Sequence, residues 1–241
     1  MRQAVTVGRL RAIPIELHLS WPPVFLFVAW LLAAHLLPDL EPDQAALLAR
    51  WGTALLTSGL LFASLLVHEL AHAAVARRRG LPVVRVCLFA LGGLAEIDVE
   101  AGTAGDEFWM ALAGPAASLV LAVGCGAAWL TLLAASRLGA AAALYLAVSN
   151  ALVALFNLLP GFPLDGGRLV RAALWRATGD LGRATRWAAA LGVGLGGGLG
   201  ALGGLSLIAG DPLAGAWLAA VGLFLIVVAR GALPSWLSPV S

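Results

Sequence analysis

The chain has no lysine, only two cysteines and few charges of any kind, and each shortage excludes something. Charged residues make up 12% of its 241 residues and hydrophobic ones 61%, with a mean hydropathy of +0.94. A soluble domain with a wetted surface does not reach that balance. Neither Cys87 nor Cys125 belongs to a C-x-x-C pair, so a disulfide framework is excluded and ordinary packing accounts for both. A net charge of +2 gives no sign of a nucleic-acid partner. What remains is a polytopic α-helical membrane protein. At ~20 residues per span the length allows about six transmembrane helices, with no room for a separate soluble domain. Residues 1–241 are therefore expected to form a single membrane-embedded domain.

The apolar runs predict spans over about 19–37, 52–76, 107–133, 142–159, 187–208 and 213–228. Arg2, Arg9 and Arg11 lie well upstream of the first run, which is long enough for a retained helix rather than a cleaved leader. Before that run, residues 5–18 contain Ile13, Ile15 and Leu17 alternating with Pro14, Glu16 and His18, the period of a short strand. Residues 82–100 alternate in the same way on both sides of Gly92-Gly93 and predict a membrane-associated hairpin. That hairpin either caps the cytoplasmic face or offers an edge to which an extended peptide could add, and the pattern supports both equally. All fifteen basic residues are arginine. Alternating the loops puts thirteen on one side and only Arg50 and Arg137 on the other, so both termini are expected in the cytoplasm of a multi-pass cell-membrane protein.

Against this background one stretch stands out. Residues 65–79 read LLVHELAHAAVARRR, and Glu69 is the sole charge between residues 52 and 76. His68 and His72 are four residues apart and leave a helix on one face, one turn apart, so both can reach a single metal ion. Glu69 sits beside that ion without having to ligate it. This is the HExxH pattern of zinc hydrolases. An ionisable residue at that depth costs about 2.5–3.5 kcal/mol even on the lenient insertion scale, which marks it as functional. The three arginines that follow place the site toward the cytoplasmic side.

One zinc ion per chain needs a third protein ligand, leaving a fourth position for water. Spacing cannot choose among Asp165, Glu96, Asp98 and Glu107, but Asp165 has the stronger position, at the broken end of a span. It lies in NLLPGFPLDGGR, residues 157–168, where two prolines and paired glycines argue against a regular helix. Such backbone is tolerated at membrane depth where it is buried in protein or lines a water-filled cavity. In this reading Glu69 is the general base that takes the proton of the zinc-activated water and returns it to the leaving amine. Gly192, Gly196, Gly200 and Gly204 recur every four residues in the fifth span and predict a close-packed or movable helix face.

HELAH at 68–72, AGPAAS at 113–118 and NLLPGFPLDGGR at 157–168 together resemble the site-2 protease family of intramembrane zinc metalloproteases, peptidase family M50. The likeness covers nearly the whole chain and is closest to the six-span subgroup. It implies that Asp165 is the third zinc ligand, that Asn157 lies near the site to orient substrate or support the oxyanion, and that the strands around Gly92 and Gly93 hold an unwound substrate. The substrate it implies is a single-span membrane protein cut within or near the bilayer. Neither a PDZ insertion nor a CBS pair is present in these residues, and Ser118 stands where many relatives have asparagine. A prenyl-protein type of membrane protease fits less well, lacking a suitably placed glutamate ligand. A transporter or metal-holding scaffold would show ionisable residues in several spans, whereas here they gather at one place.

Overall fold

The computed structural model describes residues 4–10, 13–37, 47–89, 92–97 and 101–232. It is a helical membrane protein with a small sheet, and among the described residues five helices are long and apolar enough to cross a membrane. The chain divides into two compact units. One comprises Met1–Glu100 with Ala113–Leu155, the other Ala101–Leu112 with Phe156–Ser241.

In the first unit the strands β1 (Ala4–Leu10) and β2 (Ile13–His18) pair antiparallel, β2 runs parallel to β3 (Val83–Phe89), and β3 pairs antiparallel with β4 (Gly92–Ile97). The order β1-β2-β3-β4 leaves β1 and β4 outermost. The single strand expected over 5–18 is thus two strands. Gly92 and Gly93, expected to interrupt the hairpin, lie within β4 opposite Phe89 and Leu88. The alternation rule identified the strands but not their ends, because glycine breaks a side-chain pattern without breaking a backbone ladder.

Helix α1 (Trp21–Leu31) starts on Pro22 and Pro23, which suit a first turn because its N–H groups have no intrahelical partner. It continues as a π-wound segment, Leu32–Leu36, giving an apolar helix shorter than a full span. Helix α2 (Leu47–Arg78) is 32 residues long and carries both histidines. Ser58 Oγ donates to Phe25 O of α1 at 2.9 Å, and Trp21, Phe25 and Phe62 cluster with ring centroids 5.2–6.1 Å apart. Further along α2, Leu66, Leu70 and Ala73, at i, i+4 and i+7, pack with Ile13, Val83 and Val86 of the sheet. One α2 face therefore sits on the strands while His68 and His72 leave by another. Helix α3 (Ala104–Leu132) is shared between the units, and α4 (Arg137–Asn157) follows it.

The second unit contains the segment 158–164 and helices α5 (Asp165–Thr178), α6 (Leu181–Ile208) and α7 (Pro212–Gly231). Between the spans expected at 142–159 and 187–208, α5 occupies 165–178 and ends at Gly179, whose φ of 72° favours glycine. Asp180 and Asp211 cap α6 and α7 by accepting from Arg183 N at 2.8 Å and Ala214 N at 3.0 Å.

Helices α6 and α7 meet through glycine, though not along the full four-residue series. Against α7, a methyl group on Gly192 would lie 3.0 Å from Ala229 Cβ, on Gly196 2.6 Å from Gly222 O, and on Gly203 2.7 Å from Ala219 N. A methyl on Gly200 or Gly204 meets nothing within 4 Å, although Gly200 lends its backbone to Gly222. The reason is periodicity. Each four-residue step advances about 40° around a 3.6-residue helix, so the series turns off the interface while position 203, eleven residues after 192, returns to it. Replacing Gly203 by leucine is expected to destabilise the protein by about 1–3 kcal/mol through overpacking, whereas leucine at Gly204 is tolerated. Thermal melts of both variants in one detergent check this, and equal shifts would contradict the packed face.

Candidate metal centre

Two pairs of residues at i, i+4 face each other inside the first unit. His68 and His72 project from α2, and Gly114 and Ser118 occupy the opposed face of α3. The two imidazoles are 4% and 5% exposed, with their Nε2 atoms 3.2 Å apart. Two nitrogens each ~2.0–2.1 Å from one tetrahedral ion stand about 3.3 Å apart, so this pair fits zinc ligation without rearrangement. Gly114 makes the convergence possible: any Cβ there would overlap His72 Nε2 and sit 2.6 Å from His72 Cε1. The AGP motif thus places a residue without a side chain where the metal-binding nitrogens need room.

Ser118 has a specific place too. Its Oγ is 2.9 Å from His68 Nδ1, and both side chains are buried. With Nε2 turned toward a metal, the imidazole proton resides on Nδ1 and is donated to Ser118, which holds ring orientation and tautomer together. In the sequence Ser118 stands out only as a departure from the asparagine of many relatives. The available signal was its i+4 spacing from Gly114, matching that of the histidines.

Glu69 is turned about 100° around α2 from His68 and lies on the sheet side. A methyl on Gly93 would lie 2.8 Å from both Glu69 Cδ and Oε1 and overlap its Cγ. Gly93 therefore brings the backbone of the outermost strand β4 against the carboxylate that the sequence marks as general base. Gly92 pairs with Phe89, one residue further from that contact.

In the second unit Asp165 is the first residue of α5 and is buried. A carboxylate there is favoured by the helix N-terminus. The segment before it is irregular as expected, but Gly166 and Gly167 are helical. They are glycine because methyl groups would overlap the backbone of Leu158 and of Gly161. Two helical glycines each cost roughly 1 kcal/mol in propensity, accepted here in exchange for contact with the 158–162 backbone. Asn157 is the last residue of α4 and half-buried.

The donor chemistry of His68, His72 and Asp165, two imidazoles and a carboxylate, makes them the candidate zinc ligands. Of the other carboxylates considered, Glu107 is fully buried in an ion pair with Arg171. Glu96 belongs to β4 with its backbone paired opposite Arg85, and Asp98 lies outside the described residues.

Two outcomes follow from this geometry. Ser118→Ala should weaken zinc binding about 10- to 100-fold with the helical fold intact, measured by competition with a chromophoric chelator. Gly93→Ala should leave zinc content unchanged while any hydrolysis that depends on Glu69 drops by about 10²-fold, because the added methyl displaces that carboxylate. Loss of zinc from Gly93→Ala would show that the strand supports the metal ligands rather than the base.

The sequence profile of peptidase family M50 matches residues 56–141 and 131–196, more than half of the chain. Rip3 of Mycobacterium tuberculosis, classed by name among zinc metalloproteases, is 44% identical over 236 residues, 95% of this chain and 58% of Rip3. The Synechocystis protein sll0528, named in the same way, is 34% identical over 94% of this chain and 59% of its own length. The chain thus spans somewhat under three fifths of these curated relatives. The solved structure of the site-2 protease from Methanocaldococcus jannaschii shares the fold, with a TM-score of 0.63, 24% identity, and coverage of 99% of this chain and 98% of that one. By these matches and the motifs they span, the chain belongs to peptidase family M50, the site-2 protease family.

Proposed function

We propose that residues 1–241 act as one intramembrane zinc endopeptidase domain that cuts single-span membrane proteins within or near the bilayer. The reading rests chiefly on one observation: two convergent imidazoles stand on the helix that also presents Glu69 to the outermost strand of the sheet. Family membership and the names of Rip3 and sll0528 support the same activity.

His68, His72 and Asp165 hold the metal in this proposal. Zinc, when bound, supplies a Lewis acid that polarises the scissile carbonyl and acidifies water. The Glu69 carboxylate accepts a proton from the attacking water and delivers it to the departing amide nitrogen. Asn157 orients the substrate or donates to the developing oxyanion. A transmembrane helix exposes no free backbone, so the substrate must unwind, and its freed N–H and C=O groups then need partners. The outer edge of β4 can supply them: an added strand runs about 4.8 Å away, alongside the Gly93–Glu69 contact. The glycine-packed α6–α7 pair is a packing element rather than a source of chemistry. The arginine distribution supports cytoplasmic termini and a site toward the cytoplasmic side.

Glu69→Gln should keep zinc and lose cleavage, while Asp165→Ala should lose zinc affinity. Mass spectrometry of membrane-protein fragments from cells making the wild type or Glu69→Gln checks the first half. New termini inside transmembrane segments that depend on Glu69 are the expected result. Identical fragment sets from zinc-loaded wild type and variant would overturn the protease reading, and full zinc in Asp165→Ala would remove that ligand.

A further inference from the structure

Arg171 belongs to none of the three motifs, yet it joins three elements of the second unit. Its Nε donates to Glu107 Oε1 at 2.6 Å, and its Nη2 pairs with the same oxygen. Its guanidinium also lies over the ring of Phe162, 5.1 Å from the centroid. Arg168, one turn earlier on α5, stands 3.9 Å from the same carboxylate oxygen through Nε and donates from Nη2 to Met110 Sδ at 3.8 Å. We propose that Arg171, locked to Glu107, is a positioning residue that sets where α5 holds Asp165. The proposal rests on Asp165 being a zinc ligand.

Both ends of this lock are firm. Glu107 is fully buried in the first turn of α3. That turn is capped reciprocally, with Thr103 Oγ1 donating to Asp106 Oδ2 at 2.7 Å and accepting from Asp106 N at 3.1 Å. Phe162 belongs to the segment leading into Asp165 and is itself tied, its N–H donating to Ala188 O at 3.1 Å. Leu164 N bonds Gly161 O at 3.0 Å, closing the turn directly before the aspartate.

The need for such a lock follows from the glycines. Gly166 and Gly167 bring α5 against the 158–162 backbone but offer no side chain to resist rotation or sliding of its first turn. Asp165 sits on that turn, and Arg171 is six residues further along the same helix. A planar guanidinium held by a buried carboxylate on one side and an aromatic face on the other fixes both the rotation and the height of α5. Lysine offers neither the fork nor the stacking plane.

The test measures zinc affinity of the purified full chain in detergent, by chelator competition, for the wild type, D165N, R171M and R171M/D165N. Circular dichroism of the metal-free proteins reports folding. R171M should bind zinc at least about tenfold more weakly than wild type, the size typical of lost support to a metal ligand. R171M/D165N should bind no more weakly than D165N alone, because the two changes act through one contact. R171K should also lose affinity despite keeping the charge. Wild-type affinity in folded R171M, or the same loss in the presence and absence of Asp165, would overturn the proposal. If R171M does not fold, E107Q/R171M, which leaves no buried charge unpartnered, carries the same comparison. Should that variant also fail to fold, the pair is a stability element and the proposal falls. Wild-type affinity in D165N would instead remove Asp165 as a ligand and leave Arg171 nothing to position.

Discussion

Two imidazoles can converge on one point inside an apolar helix bundle only if the helix facing them carries no side chain there. Gly114 meets that constraint, and much of the site depends on it. Its Cα carries a hydrogen where another residue would carry a Cβ overlapping His72 Nε2, so α3 approaches α2 closely enough for Ser118, one turn on, to reach His68 Nδ1. Without the close approach the histidines would face a gap or a clash, and the hydroxyl would be out of range. The motif's glycine and its serine are therefore two consequences of one helix-helix distance.

The same device recurs wherever a functional side chain must meet backbone. Gly93 brings β4 against Glu69, Gly166 and Gly167 seat the first turn of α5 on the 158–162 segment, and Gly192 receives the carbonyl of Phe162. In a membrane these contacts have particular value. Lipid is as apolar as leucine, so burying hydrocarbon does little to drive helices together, and close van der Waals packing takes its place. The 29 glycines of this chain serve that end unequally: Gly204 and Gly194 meet no neighbour, while Gly203 is enclosed.

Polar groups in such surroundings need partners, and the partners organise the structure as much as the packing does. Thr57 and Ser64 satisfy their hydroxyls on the preceding turn of α2, which costs no tertiary contact and leaves the helix free to place its histidines. Glu107 cannot do that, and its burial demands a cation from another helix. Arg171 answers that demand while also stacking on Phe162, so a carboxylate that resembled a metal ligand in the sequence belongs instead to the framework of α5.

The sequence by itself determined five of the six expected spans, with a shorter apolar helix in place of the first, the presence of strands at 5–18 and 82–100, and the histidine pair, because these depend on local periodicity: apolar length, alternation by two, and spacing by four. It also singled out Asp165, through the glycines and prolines around it. Only the tertiary structure decided where Gly92 and Gly93 stand, since a ladder continues through glycine; that Gly166 and Gly167 belong to α5, since their contact with the 158–162 backbone outweighs the poor helix propensity of glycine; and that Gly203 replaces Gly204 at the α6–α7 interface, since a four-residue repeat drifts on a 3.6-residue helix. The partners of Ser118 and Arg171 were not legible for a related reason. Each acts across 50 or more residues of chain, on His68 and Glu107, and no local pattern records which distant side chain a hydroxyl or guanidinium will meet.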